Sequence, residues 1–353
     1  METNPAVNLK PLSMGQIIDR AVRLYRQNFG QYIGIVALAQ IPMFIFSATF
    51  PLATLGLESA ALDMQVESLM GFGLLSMVSI LVGAVLTQVA VAAMTQAIAD
   101  TYLGRPTTII EAFSRIGSAW WQLLVAFILL FGLGIALFVW TLIPCVGWLT
   151  GPGIMIFGAV VAVPLIVPVV VLERGSGTEA VGRAWQLARR RFWWLLGFML
   201  LLSLLSQIIV TGPSLLASSL IVSLLGSELG LVGQNVVQSV SSVLLNILYL
   251  PLYTACVALL YFDIRVRTEG LDLTLLAASR AEAEGDEMKT AVSPPNLTTH
   301  LTHVPAAPQS LAPNRDEWVY FTAISVGLIA LYVLLLGLLF MLIFGGVLLF
   351  SGL

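Results

Sequence analysis

Polar and apolar positions along the chain follow two alternating patterns, and residues 176–211, SGTEAVGRAWQLARRRFWWLLGFMLLLSLLSQIIVT, hold both in one piece. Ser176 and Glu179 have the spacing of a reciprocal capping pair, which satisfies two of the orphan amides at a helix start. At 100° per residue Ala180, Val181, Ala184, Trp185, Leu187, Ala188 and Phe192 fall on one side, and Glu179, Arg183, Gln186, Arg189 and Arg190 on the other. This pattern predicts a helix lying in the headgroup layer, its apolar face down and its arginines towards lipid phosphates. From Phe192 the charges stop, and the sequence stays apolar for the roughly 20 residues that a bilayer core requires.

The same unit occurs at two earlier places. Ser13 and Gln16 cap a segment in which Met14, Ile17, Ile18, Ala21, Val22, Tyr25 and Phe29 recur at helical spacing, with Arg20, Arg23 and Arg26 on the wet side. Thr108 and Glu111 open a third copy, TIIEAFSRIGSAWW. Aligned from their caps, the copies share an arginine at the seventh position: Arg20, Arg115 and Arg183. Interfacial helices are therefore expected at 13–29, 108–119 and 176–192. Each is followed by two apolar runs: 31–55 and 71–98, 121–143 and 151–172, 193–211 and 236–262. Residues 213–226 are apolar but too short to cross, which predicts a re-entrant or interfacial piece. The fold expected is an all-α integral membrane protein with three repeats of an amphipathic interfacial helix plus a two-span hairpin, six spans in residues 1–275. A disordered cytoplasmic linker is expected at 276–316, rich in Ala, Ser, Glu, Pro and Thr, and a seventh, C-terminal transmembrane helix at 317–353, marked by Trp318 and Tyr320.

Composition fits this picture and narrows it. Of 353 residues 58% are hydrophobic and 10% charged, against roughly 25% charged in soluble domains. The 16 basic residues all fall on the side of the predicted topology that bears the N-terminus, and the other side has only Glu58, Asp63, Glu67 and Glu228. By the positive-inside rule the N-terminus is expected to be cytoplasmic and the C-terminus external, in the cytoplasmic (inner) cell membrane. The first apolar run follows a charged amphipathic segment with no small-residue cleavage site, which predicts insertion by an uncleaved first span. A net charge of −3 with dispersed cations predicts no nucleic-acid partner. Cys145 and Cys256 cannot build a disulfide framework.

Candidate chemistry is sparse. No ionisable residue falls in the middle of a predicted span, where carriers and intramembrane hydrolases usually need one. Gln234, Gln238, Ser241, Ser242, Asn246, Tyr249 and Tyr253 share about a third of the circumference of the sixth run. They either bond neighbouring helices or line a polar cavity beside the bend at Pro251. Thr87, Gln88 and Thr95 repeat that signal in the second run. Headgroup contacts are expected from Arg20, Arg23, Arg115, Arg183, Arg189, Arg190, Arg265 and Arg267. Asp263, Arg265, Arg267 and Asp272 read as a salt-bridged stop-transfer segment or as an anion or divalent-ion site. His300 and His303 have no metal-site context, so no catalytic group, metal or cofactor is expected.

Three stretches, SMGQIIDRAVRLYRQNFGQYIGIVAL, EAVGRAWQLARRRFWWLLG and LLYFDIRVRTEGLDL, carry a likeness to known proteins. Over roughly residues 10–275 the chain resembles the prokaryotic glycerophosphoryl diester phosphodiesterase membrane domains, the closing Tyr261, Phe262, Asp263, Arg265, Arg267, Glu269, Gly270 and Asp272 being most specific. The resemblance implies a six-span cytoplasmic-membrane module, fused in some members to a soluble phosphodiesterase barrel. Such a barrel needs about 250 residues of alternating strand and helix, which this chain lacks. The seventh span departs from the six-span pattern. The function expected is therefore a non-catalytic module that scaffolds or anchors other membrane or cytoplasmic proteins while gripping anionic membrane lipids. Translocation of a small solute or lipid through a polar-lined cavity is the alternative, and a membrane-embedded phosphodiesterase would need catalytic groups not found here.

Overall fold

The computed structural model describes residues 11–53, 66–102, 108–117, 119–225, 230–271, 273 and 313–351. The expectations for the linker as far as residue 312, for His300 and His303, for Asp272 and for Glu58, Asp63 and Glu228 fall outside the described residues, and the last helix begins at Arg315, within the expected linker. The described chain is all helical. Its elements are α1 (Met14–Gln27), α2 (Phe29–Ala53), α3 (Val66–Tyr102), α4 (Ile109–Ile116), α5 (Ala119–Thr141), α6 (Val146–Glu173), α7 (Gly177–Arg189), α8 (192–225), α9 (Gly230–Glu269) and α10 (Arg315–Ser351).

All three predicted capping boxes form. The amides of Gln16, Glu111 and Glu179 donate to the hydroxyls of Ser13, Thr108 and Ser176 at 3.4, 3.3 and 3.3 Å, and each side chain three residues on accepts from its cap's amide. The hydrogen bond from the Thr108 backbone holds the Glu111 carboxyl below its ordinary pKa, as a bond to the charged form should.

Five helices among the described residues, α5, α6, α8, α9 and α10, are long and apolar enough to cross a membrane, which marks a multi-pass membrane protein. Wider turns adjoin three of their prolines, whereas Pro152 and Pro251 sit in α-helical backbone. In α6, Gly158–Ala162 and Val169–Glu173 are π-helical around Pro164 and Pro168, and in α8 the π turn Gln207–Thr211 precedes Pro213. Residues 213–225 therefore do not form a separate re-entrant piece. Residues 212–225 continue α8, because the amide of Gly212 reaches back to the carbonyl of Gln207 and the helix survives the proline.

The core gathers where α3, α6 and α9 approach their C-terminal ends. Ala90, Ala93, Met94 and Ala97 of α3 are buried with Phe157, Val161, Leu165 and Val170 of α6 and Ala255, Ala258, Leu260 and Phe262 of α9. Alanines let these helices approach closely, as small residues do at helix contacts in membranes. The three amphipathic helices pack on the same core. Ile17 and Ala21 of α1, Ala112 of α4, and Ala180, Ala184, Leu187 and Ala188 of α7 are all buried within it. The predicted placement of these apolar faces in the headgroup layer is thus corrected: they face protein. α1 runs antiparallel along α9, since the amide of Leu12 meets Asp263 and the hydroxyl of Tyr25 donates to the carbonyl of Leu248. Periodicity detects an apolar face but not what covers it.

The C-terminal helix belongs to the packed body. Phe321 of α10 is fully buried among Phe157, Trp185 and Phe192, with ring centroids 5.8, 6.0 and 5.5 Å away. The amide of Gly153 on α6 donates to Ser325 Oγ at 2.8 Å. By contrast α5 turns Trp120, Trp121, Ile128, Phe131, Ile135 and Phe138 outward, as a lipid-facing helix would.

Candidate functional site

The charged residues that the apolar spans exclude collect at one end of the core. α6 ends on Glu173, α9 carries Tyr261, Arg265 and Glu269 in its last turns, and α7 lays Arg183 beside both. Tyr261 Oη donates to Glu173 Oε1 at 2.7 Å and accepts from Arg265 Nη1 at 3.0 Å. Arg265 Nε donates to Glu269 Oε2 at 3.0 Å, and its Nη1 lies 3.7 Å from Glu173 Oε1. Arg183 Nε donates to Glu173 Oε2 at 3.3 Å. Its Nη2 sits 2.5 Å from Glu269 Oε1, a charge contact without the alignment of a hydrogen bond. The Arg265 side chain is only 1% exposed. Enclosing a guanidinium this fully is tolerable because two arginines face two glutamates and the tyrosine hydroxyl bridges them, so the group is neutral and hydrogen-bonded.

Satellite pairs surround this network. Arg115 Nη1 donates to Asp100 Oδ2 at 2.8 Å, where Gln96 Nε2 also donates at 3.0 Å. Asp263 accepts from Arg267 Nε at 2.9 Å and from the Leu12 amide at 2.6 Å, and Arg267 Nη2 donates to the Leu12 carbonyl at 2.8 Å. Arg189 Nε donates to Glu317 Oε1 at 2.6 Å, tying α7 to α10. Arg190 reaches the Thr268 carbonyl at 3.3 Å from an exposed position. Arg20 lies over the ring of Tyr102, 5.1 Å from its centroid, and Arg191 over Trp194 at 4.7 Å, both cation–π contacts.

This geometry revises the expected headgroup contacts. Arg183, Arg189 and Arg265 keep only 11%, 10% and 1% of their side-chain surface and turn inward to carboxylates. Arg115 and Arg267 are partnered but keep 37% and 30%. Arg23 and Arg190 stay exposed, and Arg20 is half-buried. The sequence reading missed Glu173, Glu317 and Asp100 as partners, since each pairs with a residue on another helix. The pairs Asp263–Arg267 and Arg265–Glu269 were legible at helical i, i+4 spacing.

The polar face of α9 is used largely for packing. Gln238 Nε2 donates to Ser214 Oγ of α8 at 2.9 Å, and the buried Tyr249 hydroxyl donates to the Leu202 carbonyl of α8 at 2.6 Å. Ser242 bonds back to the Ser239 carbonyl, and the rings of Tyr249 and Tyr253 stand 6.1 Å apart. Asn246 is half-buried, Gln238 Oε1 is buried without a hydrogen-bond partner among the described residues, and the Gln234 side chain lies outside them. Gln88 borders a cavity of about 20 Å³ among Leu123, Ala126, Leu130, Val163 and Val167, room for roughly one water. Among the described residues no group of three or more His, Cys, Asp and Glu is placed to hold a metal ion.

Compared with protein-family models, with curated proteins and with solved structures, the chain matches none.

Proposed function

We propose that this chain is a multi-pass module of the cytoplasmic membrane that scaffolds or anchors partner proteins without catalysing a reaction, a relative of the glycerophosphoryl diester phosphodiesterase membrane domains. The observation that carries the reading is the pairing of the carboxylates at the charged end: Asp100, Glu173, Asp263 and Glu269 are each held by an arginine of the same chain. A general acid or base must exchange its proton with substrate, and groups locked in internal ion pairs are poorly placed to do so. The bonds of Gln238 and Tyr249 to α8 favour a packed core over a solute path. Purified protein in lipid with calcium or magnesium is expected to release no glycerol phosphate above a protein-free control. Turnover that Asp263→Asn abolishes with the fold intact would overturn the reading. Crosslinking in native membranes is expected to enrich the same proteins reproducibly over an unrelated multi-pass control, and no enrichment would sink the scaffold role.

The repeat reading gains support from the pairing pattern. Arg115 of α4 holds Asp100 near the end of the preceding span, and Arg183 of α7 holds Glu173 at the end of its own. At α1 the contact is with α9, through the Leu12 amide and Asp263, while the aligned Arg20 stacks on Tyr102. The arrangement proposed is three hairpins, each with its surface helix, and α10 as a seventh span. The orientation proposed is N-terminus inside and C-terminus outside. It is supported by contacts that bring Leu12, Asp100, Glu173, Asp263 and Glu317 to one end of the helices together with the arginines. Reporter fusions should read cytoplasmic after residues 105, 175 and 285 and external after 62 and 353; an external reading at 285 would refute the even number of spans before it.

A further inference from the structure

Carboxylates within the chain claim most of the arginines expected at headgroups, but not those on the outer face of α1. Arg23 and Arg26 are exposed, and among the described residues neither enters an ion pair. They line a surface cleft of about 500 Å³ with Asp19, Val22 and Gln27. Arg23, Arg26 and Gln27 are spaced i, i+3 and i+4, so two guanidinium forks and an amide donor share one helix face over that cleft. We propose that this cleft binds a phosphodiester anion, that of an anionic phospholipid headgroup.

Charge and surroundings both fit that ligand. Among the described lining residues two arginines and Asp19 leave one positive charge in excess, of the sign that suits a phosphodiester. Guanidinium forks suit phosphate oxygens in bidentate fashion. The cleft lies on the last turns of α1, where the chain passes through Asn28 into α2, a helix that also exposes large apolar side chains. Phe29, 5.2 Å from Tyr25 by ring centroids, is 48% exposed, and Leu38, Ile41 and Ile45 follow at 53%, 52% and 58% along α2. Residues 38, 41 and 45 form one stripe at helical spacing on the side of α2 away from Phe29, an apolar face that acyl chains can cover. A free phosphate ester would use the arginines but have no use for the stripe.

The site rests on the membrane reading of the chain, and the test separates the two. Full-length protein is placed in nanodiscs of phosphatidylcholine with a minor fraction of phosphatidylglycerol, and retained lipid is counted by native mass spectrometry. Protein that does not stay with the discs would refute the membrane reading itself. If it stays, Arg23→Gln/Arg26→Gln is expected to bind phosphatidylglycerol about 30-fold more weakly, which corresponds to about 1 kcal/mol for each basic residue. Arg23→Lys/Arg26→Lys should recover part of the affinity, and an unchanged thermal melt shows that the variants are folded. Free glycerol phosphate is added in a parallel arm. Failure to displace the lipid assigns the site to a headgroup held with its acyl chains, whereas displacement assigns it to the phosphate ester alone. A folded Gln variant that retains phosphatidylglycerol as well as the parent overturns the site.

Discussion

Arg265→Met is expected to destabilise the protein by about 3–5 kcal/mol in denaturant titration in bicelles, the cost of breaking a buried ion pair from one side. Its guanidinium is the hub of the charged end, bound to Tyr261 and Glu269 and 3.7 Å from Glu173. With it gone, Arg183 alone faces two enclosed carboxylates, and the Tyr261 hydroxyl loses the donor it accepts from. Methionine nearly fills the volume, so the loss reports charge rather than a cavity. Arg190→Met is the contrast: that side chain is exposed and makes one long bond to the Thr268 carbonyl, and the change should stay within about 0.5 kcal/mol. Removing Glu269 as well, in Arg265→Met/Glu269→Leu, restores neutrality because Arg183 still holds Glu173, and part of the lost stability should return. A double variant no more stable than Arg265→Met would mean that the network does not act through its charge balance.

The local features of this fold were legible in the sequence, and the features that depend on distant neighbours were not. The caps Ser13, Thr108 and Ser176 sit where the Ser/Thr-x-x-Gln/Glu spacing placed them, since a capping box involves four consecutive residues. The apolar runs located the long helices, but the length of the run 213–226 pointed to a separate re-entrant piece, whereas its described residues continue α8 through the π turn before Pro213. An amphipathic face states how much apolar surface a helix must cover and leaves open whether lipid or protein covers it. That is why α1, α4 and α7 were expected on headgroups and instead bury Ala21, Ala112 and Ala184 against the spans. Arginine destinations follow the same division. Arg267 and Arg265 have partners one turn away on α9, whereas Arg183 and Arg189 meet Glu173 and Glu317 only once α7 has packed against α6 and α10. Of the candidate site, the sequence disclosed the charged residues but not their depth: Arg265, read as the end of a span, is enclosed on all sides.

Gly153→Val is expected to release α10 from α6, an effect no local pattern in the sequence announces. A Cβ built at Gly153 would lie 2.0 Å from the carbonyl oxygen of Phe321 and 2.7 Å from its carbonyl carbon. Both are backbone atoms inside a helix, so no side chain can turn aside to make room, and α10 must move away as a unit. That shift also breaks the bond from the Gly153 amide to Ser325 and withdraws Phe321 from the rings of Phe157 and Trp185. In a bilayer little hydrophobic force draws two apolar helices together, so close contact at small residues holds the pair. Gly134→Val on α5 adds the same bulk where no described residue lies within 4 Å and should leave the association intact. The measurement uses a protease site engineered within residues 276–312. After cleavage in detergent, α10 should co-purify with the remainder of the parent protein and of the Gly134 variant, and its recovery should fall at least about tenfold for Gly153→Val, as a loss of about 1.4 kcal/mol or more in association implies. Full recovery of α10 from the Gly153 variant would show that contacts other than this close approach hold the helix, with the Arg189–Glu317 pair the first to remove next.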